Sequence, residues 1–206
     1  MSRWLCHVED GLSAAAVCGW VISALWLVLI VYWSVSTSAV MRRIGRRWVW
    51  WREIAIRLGF FAFVVLALQV AAAGGILPNA SPYAFNSSLI MGLIGVVCSV
   101  LGIGLVILAR AYLDQNWGTR TSDREHAELL TTGPYALVRH PLYSGLLFAM
   151  VGSAIGQSLF WLLPLIVYGP YFVRGARREE ELLIEKFPDR YPDYMKRTKM
   201  LLPFVI

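Results

Sequence analysis

Charge is missing from long stretches of this sequence, and so are the cysteine spacings of a metal site or a disulfide framework. Of 206 residues 16% are charged and 58% are hydrophobic, too apolar a balance for an ordinary soluble domain. Cys6, Cys18 and Cys98 are an odd number with no CxxC pair. Neither a zinc site nor a stapled secreted fold is suggested, and the cysteines read as small buried apolar residues. A phosphate-loop context is lacking too: the glycines of "GLIGVVCSVLGIG" sit in a charge-free run and suit close helix packing. Glu9 and Asp10 stand where a leader peptide would carry positive charge, so the first apolar segment reads as a membrane helix.

What is present is a series of apolar windows separated by basic clusters. The first runs from about Ala14 to Trp33. No residue from Leu58 to Ala109 is charged, and "AAAGGILPNASPYAFNSS" interrupts that run with glycines and prolines that mark a turn. Two spans follow, about Leu58 to Ile76 and Leu89 to Ala109, each near the ~20 residues a bilayer requires. Pro141 to Val173 is also uncharged, long for one crossing and short for two. A tight hairpin turning at Gly156 to Ser158 fits it. The formal charge of +6 is concentrated beside these windows, which makes it a topology signal and not a nucleic-acid footprint. Arg42, Arg43, Arg46, Arg47, Arg52 and Arg57 place the first loop in the cytoplasm, whereas Leu77 to Ser88 carries no charge. Counting onward puts the amino terminus outside, and Arg110, Arg120, Arg124, Arg139 and the basic tail inside. The expected fold is an all-α polytopic membrane protein of about five transmembrane helices, with a short C-terminal helical hairpin and a cytoplasmic tail helix. The whole chain, 1–206, forms one domain.

Two polar segments should then meet at the cytoplasmic mouth of the hairpin. "GPYALVRHPLYSG", Gly133 to Gly145, is a shaped loop that starts a helix near Pro141, because each proline disfavours helix in the residue before it. A helix amino terminus beside Arg139 and His140 suits an anion. The tail sequence "ARREEELLIEKF" is amphipathic: Ala176, Glu180, Leu183 and Phe187 share one face. Glu180 therefore falls on the apolar stripe and needs a partner, whereas Arg178, Glu181, Glu185 and Lys186 suit a solvated face, and Glu179 only partly does.

These segments resemble the carboxy-terminal signature of the isoprenylcysteine carboxyl methyltransferase and phospholipid methyltransferase family of integral membrane enzymes. Arg139, His140, Pro141 and Tyr143 match its RHPxY element. Glu179, Glu180, Leu183 and Phe187 match its EE element, and Tyr191, Tyr194 and Pro203 the element that follows. Pro188 departs from the pattern, which has glycine there.

The resemblance implies an S-adenosylmethionine pocket on the cytoplasmic side, within a cofactor-binding part of the domain over 110–206 that follows three helices in 1–109. It implies cofactor contacts at His140, Tyr143, Glu179 and Glu180, with His126, Leu129, Gly133 and Tyr135 on the nucleoside side. The family's arginine before the EE pair corresponds to Arg174, Arg177 or Arg178. Arg139 is the candidate to position an anionic acceptor, and His140 or Glu180 to act as base for an amine. The implied acceptor is lipophilic and reaches the site through the bilayer, an isoprenylcysteine-like carboxylate first and a phospholipid amine second. A nicotinamide-dependent reductase and a non-catalytic scaffold are the other classes. No metal and no nucleic acid is expected.

Overall fold

The computed structural model describes residues 14–44, 88–122 and 129–202, which are helical with no β-sheet among them. Helix α1 spans Ala14–Ile44, α2 Leu89–Ser122, α3 Pro141–Gly156, α4 Leu162–Lys186 and α5 Tyr191–Arg197. Single 3-10 turns at Gly133–Ala136 and Leu159–Trp161 lead into α3 and α4. Among the described residues, three stretches are long and apolar enough to cross a membrane: Val17–Ser36, Leu89–Leu113 and Leu159–Lys186. The chain is an integral membrane protein. α3 has 16 residues, a rise of about 24 Å against a hydrocarbon core of about 30 Å, so it is the short leg that the uncharged Pro141–Val173 window implied. The expected span Leu58–Ile76 lies outside the described residues.

Helices α2 and α3 pack along a seam of small residues. A Cβ added at Gly102 would come 2.6 Å from both Ala149 N and Gly145 O, and one at Gly152 would come 2.8 Å from Ser99 N. Gly95 lies against Gly156 in the same seam. The spacing explains it: Gly95 and Gly102, like Gly145 and Gly152, recur every seven residues and so share a helix face. Without a hydrophobic force between helices in lipid, such close backbone contact is a principal source of association. α1 closes the bundle through Leu29, which packs with Ile103, Val106 and Ala149.

The chain reverses at Gln157 and Ser158, where the sequence placed the turn. Ser158 accepts a hydrogen bond from Phe160 N, which starts the 3-10 turn. Gln157 fastens this end to α1: its Nε2 donates to Ser23 Oγ at 2.7 Å, and its Oε1 accepts from Trp161 Nε1 at 2.8 Å. Trp161 in turn stacks on Trp26 with ring centroids 4.9 Å apart.

Three boundaries differ from expectation. α1 and α2 run past Trp33 and Ala109, and Arg110, read as a loop residue, is buried within α2. There it lies 5.2 Å from the Trp33 ring centroid and donates to Ser36 Oγ, a cation–π contact and a hydrogen bond that make its burial tolerable. The tail helix is not a separate element: α4 continues without a break from Leu162 to Lys186 through Pro170. Proline removes a single helical donor, here the one that would reach Ile166, and the flanking turns carry the helix across.

Candidate cofactor site

The RHPxY segment and the EE pair meet because α3 begins where α4 passes beneath it. Gly133 opens the segment at φ +60, a conformation that disfavours a side chain, with the Tyr112 ring against its Cα. Tyr135 follows in the 3-10 turn, and its hydroxyl donates to Ala109 O at 3.4 Å, tying the turn to α2. His140 is the N-cap of α3 and Pro141 its first residue, as the proline pattern requires. The expected anion site at this helix start is partly spent: His140 N already donates to Met200 O at 3.1 Å.

Glu180 sits on the buried face of α4 at 7% exposure, beside Ala176. Its partner is Arg139. Arg139 Nε donates to Glu180 Oε1 at 2.6 Å, and both side chains are 10% exposed. Arg139 Nη1 donates to Met195 O at 3.3 Å and to Thr198 O, so the guanidinium is held at the carboxyl end of α5, where the helix dipole favours a cation. Arg177 is exposed and makes no ion pair with Glu180 or Glu181 among the described residues.

His140 bridges the two carboxylates. Its Nε2 lies 3.3 Å from Glu180 Oε1 and its Nδ1 3.4 Å from Glu179 Oε2. Burial pulls its pKa down, but the hydrogen bonds and charges of Glu179 and then Glu180 outweigh it, leaving it above the ordinary 6.5. Tyr143 completes the group: its hydroxyl donates to Glu179 Oε1 at 2.7 Å. The Tyr143 ring is stacked between His140 and Phe172, at centroid separations of 5.7 and 5.0 Å. Glu179 itself is 53% exposed, at the solvent edge of the group.

Below this group lie the tyrosines of α5. Tyr194 donates to Tyr135 O at 2.5 Å, and burial pushes its phenol up to about 12 despite the Thr198 hydrogen bond and nearby Arg139. Tyr191 is 1% exposed and its hydroxyl has no hydrogen-bond partner among the described residues. Pro188 occupies a turn that needs no positive φ, so the departure from glycine costs nothing here.

The structure thus gathers Arg139, His140, Tyr143, Glu179 and Glu180 within one hydrogen-bonded group. Leu129 lies apart, lining a cavity of about 460 Å³ with Thr131, Arg190, Asp193, Tyr194 and Arg197. His140 and Glu180 do not line that cavity, so the site is defined by the ion pairs and not by this cavity. His126 lies outside the described residues. Sequence reasoning missed Phe172, whose aromatic neighbours Tyr168 and Tyr171 at helical spacing were its only signal, and the carbonyls of Met195 and Thr198, for which no sequence signal exists.

Residues 90–190 match the family described as Phospholipid methyltransferase, and that stretch contains both the RHPxY segment and the EE pair. Over that stretch, 101 of its 206 residues, the chain resembles this family. Among curated relatives it is 28% identical over 191 residues to a methanethiol S-methyltransferase of Pseudomonas sp. (strain GM41(2012)), covering 85% of this chain and 71% of that protein. It is 32% identical over 124 residues to the protein-S-isoprenylcysteine O-methyltransferase of Saccharomyces cerevisiae, covering 53% of this chain and 50% of the relative. It is also 32% identical over 108 residues to the nickel-cobalt-cadmium resistance protein NccN of Alcaligenes xylosoxydans xylosoxydans, covering 51% and 50%. The chain spans about half the length of the last two. The family match leaves out α1 and the strand of chain after Arg190, so those parts of the site are read from geometry alone.

Proposed function

We propose that the protein transfers a methyl group from S-adenosylmethionine to a lipophilic acceptor bearing a thiolate or carboxylate, at the cytoplasmic face of the membrane. The observation that carries this is the pairing of Glu179 and Glu180 with His140 and Tyr143. A half-exposed carboxylate beside a buried one suits a ligand that presents an ammonium and hydroxyls. In that reading His140, Tyr143, Glu179 and Glu180 hold or order the cofactor, with Leu129, Gly133, Tyr135 and His126 toward its nucleoside and Arg177 at the rim. When bound, the cofactor supplies an electrophilic methyl group on a cationic sulfur.

The protein's own part is to place the acceptor and exclude water. Opposite charges cancel as an anionic acceptor takes the methyl group, so a poorly hydrated site favours the reaction, and orientation supplies much of the remainder. The hydrogen bonding argues for an anionic acceptor over an amine. An amine requires proton removal, yet His140 already has both ring nitrogens against the Glu179 and Glu180 carboxylates, and Glu180 already accepts from Arg139. Arg139, locked on Glu180, orders the site and only secondarily meets an acceptor. The Pseudomonas and yeast relatives are named for a thiol and a prenylated cysteine respectively, and both are acceptors of this kind. The positive-inside count supports the orientation.

The test is calorimetric titration of detergent-purified protein with S-adenosylhomocysteine, on wild type and on Glu179→Gln. Glu179 is the better choice than Glu180, since its replacement leaves the Arg139 ion pair intact. Binding that weakens at least tenfold in a folded variant supports the site. Absence of binding by folded wild type, with NADPH binding in its place, would move the protein to the reductase class.

A further inference from the structure

The segment after α5, Thr198 to Leu201, is bound to the RHPxY loop along its whole length. Val138 and Lys199 form an isolated parallel bridge, and Arg139 N donates to Lys199 O at 2.8 Å. His140 N donates to Met200 O, and Ser144 Oγ lies 2.5 Å from Leu201 O and 3.0 Å from His140 O. Ser144 is 7% exposed, so its single proton serves carbonyls that water cannot reach. Met200 and Leu201 are themselves buried, packed with Ala176 and against Tyr143, Leu147 and Val173, between the two helices that carry the site.

Those contacts have a common geometric effect. His140 belongs to the start of α3 and Glu180 to α4. Tyr143 and Leu147 of α3 and Val173 and Ala176 of α4 all pack in the cluster that holds Met200 and Leu201, so the segment touches both helices beside the site. Arg139 binds Glu180 with one side of its guanidinium and the segment's Thr198 carbonyl with the other. We propose that Thr198–Leu201 is a positioning strap that sets His140 against Glu179 and Glu180, with Ser144 as the side chain that fastens it. The strap concerns the site of the function proposed above, but it is tested without any ligand, so its failure would leave the cofactor assignment standing.

The groups facing His140 are Glu179 and Glu180 of α4, Tyr143 of α3 and the neighbouring Arg139; Tyr191 of α5 senses the same carboxylates. Loosening the strap lets the imidazole move away from the carboxylates, and the titration midpoint of His140 then falls toward 6.5. The experiment is NMR titration of ring-labelled histidine in micelles, with the signal assigned by loss in His140→Gln. Ser144→Ala, which removes the hydroxyl that holds Leu201 O and His140 O, should lower the His140 midpoint. Ser144→Thr, which keeps the hydroxyl, should restore the midpoint. If Ser144→Ala does not fold, Ser144→Cys, near-isosteric and a weak donor, is expected to show the same direction of shift. A midpoint unchanged in the alanine or cysteine variant, or a threonine variant that behaves like alanine, would overturn the proposal: the strap would then be packing alone.

Discussion

Replacing Arg139 by methionine tests the central ion pair, and its cost can be worked from the surroundings. Both partners are 10% exposed and 2.6 Å apart, so removing the guanidinium leaves a carboxylate in a poorly hydrated place. Breaking a buried pair in this way costs about 3–5 kcal/mol. Two features decide where in that range it falls. His140 still lies 3.3 Å from Glu180 and retains part of the compensation. Against that, Met195 O and Thr198 O both lose their charged donor, a hydrogen-bond type worth about 1.5–3 kcal/mol. The two corrections oppose each other, and about 4 kcal/mol is the expected loss. The assay is equilibrium unfolding in mixed micelles as the fraction of denaturing detergent rises, on Arg139→Met, Glu180→Gln and the double variant. Removing both charges together spares the lone buried carboxylate, so the cycle should show a coupling of about 2 kcal/mol. A loss under about 1 kcal/mol for Arg139→Met, or losses that add within about 0.5 kcal/mol, would refute the account of Arg139 as the clamp on Glu180.

Stability should also depend on pH through His140. Its folded pKa is raised above 6.5, so its contribution is fully present below pH 6.5 and is lost as pH rises through the folded value. Thermal unfolding should therefore occur at lower temperature as pH is raised through that window, and His140→Gln should flatten the dependence. In the α2–α3 seam, Gly102→Ala should destabilise by about 1–3 kcal/mol, because backbone atoms of α3 meet the new methyl. Gly104→Ala, two residues along and open to space, should be neutral or gain up to about 1 kcal/mol; equal effects in the same unfolding assay would deny the seam. Tyr191→Phe removes a buried hydroxyl without a partner among the described residues, so it should leave stability unchanged or raise it by about 1 kcal/mol. A clear loss would mean that water or a ligand serves that hydroxyl.

Much of this arrangement was legible because lipid simplifies the sequence code. A charge-free run must be a helix whose backbone bonds close within itself, and that argument placed α2 and the turn at Gln157 before any contact was known. Burial of Glu180 was legible for the same reason that its partner was not. Helical periodicity shows which face a residue occupies, and the apolar neighbours Ala176 and Leu183 put Glu180 inward. It is silent on what lies opposite. The nearest candidate by sequence, Arg177, sits three residues away and is exposed. The true partner, Arg139, comes from 41 residues earlier and is brought there by the fold of the hairpin.

The boundaries that misled share one cause. Arg110 and the Arg174–Lys186 stretch were assigned outside the bundle because charge ends a hydropathy window. Charge does not end a helix, though, since a helix needs only its own backbone hydrogen bonds to continue. α2 and α4 therefore run on past their apolar runs, and that overrun brings the EE pair to the level of His140. A helix broken at Val173 would have let Glu179 and Glu180 swing freely on a linker. One continuous α4, braced by Ala176 against Met200 and Leu201, instead fixes their distance from the start of α3. The geometry of the site thus depends on the continuity of α4 across Pro170, a feature that the hydrophobic pattern argued against.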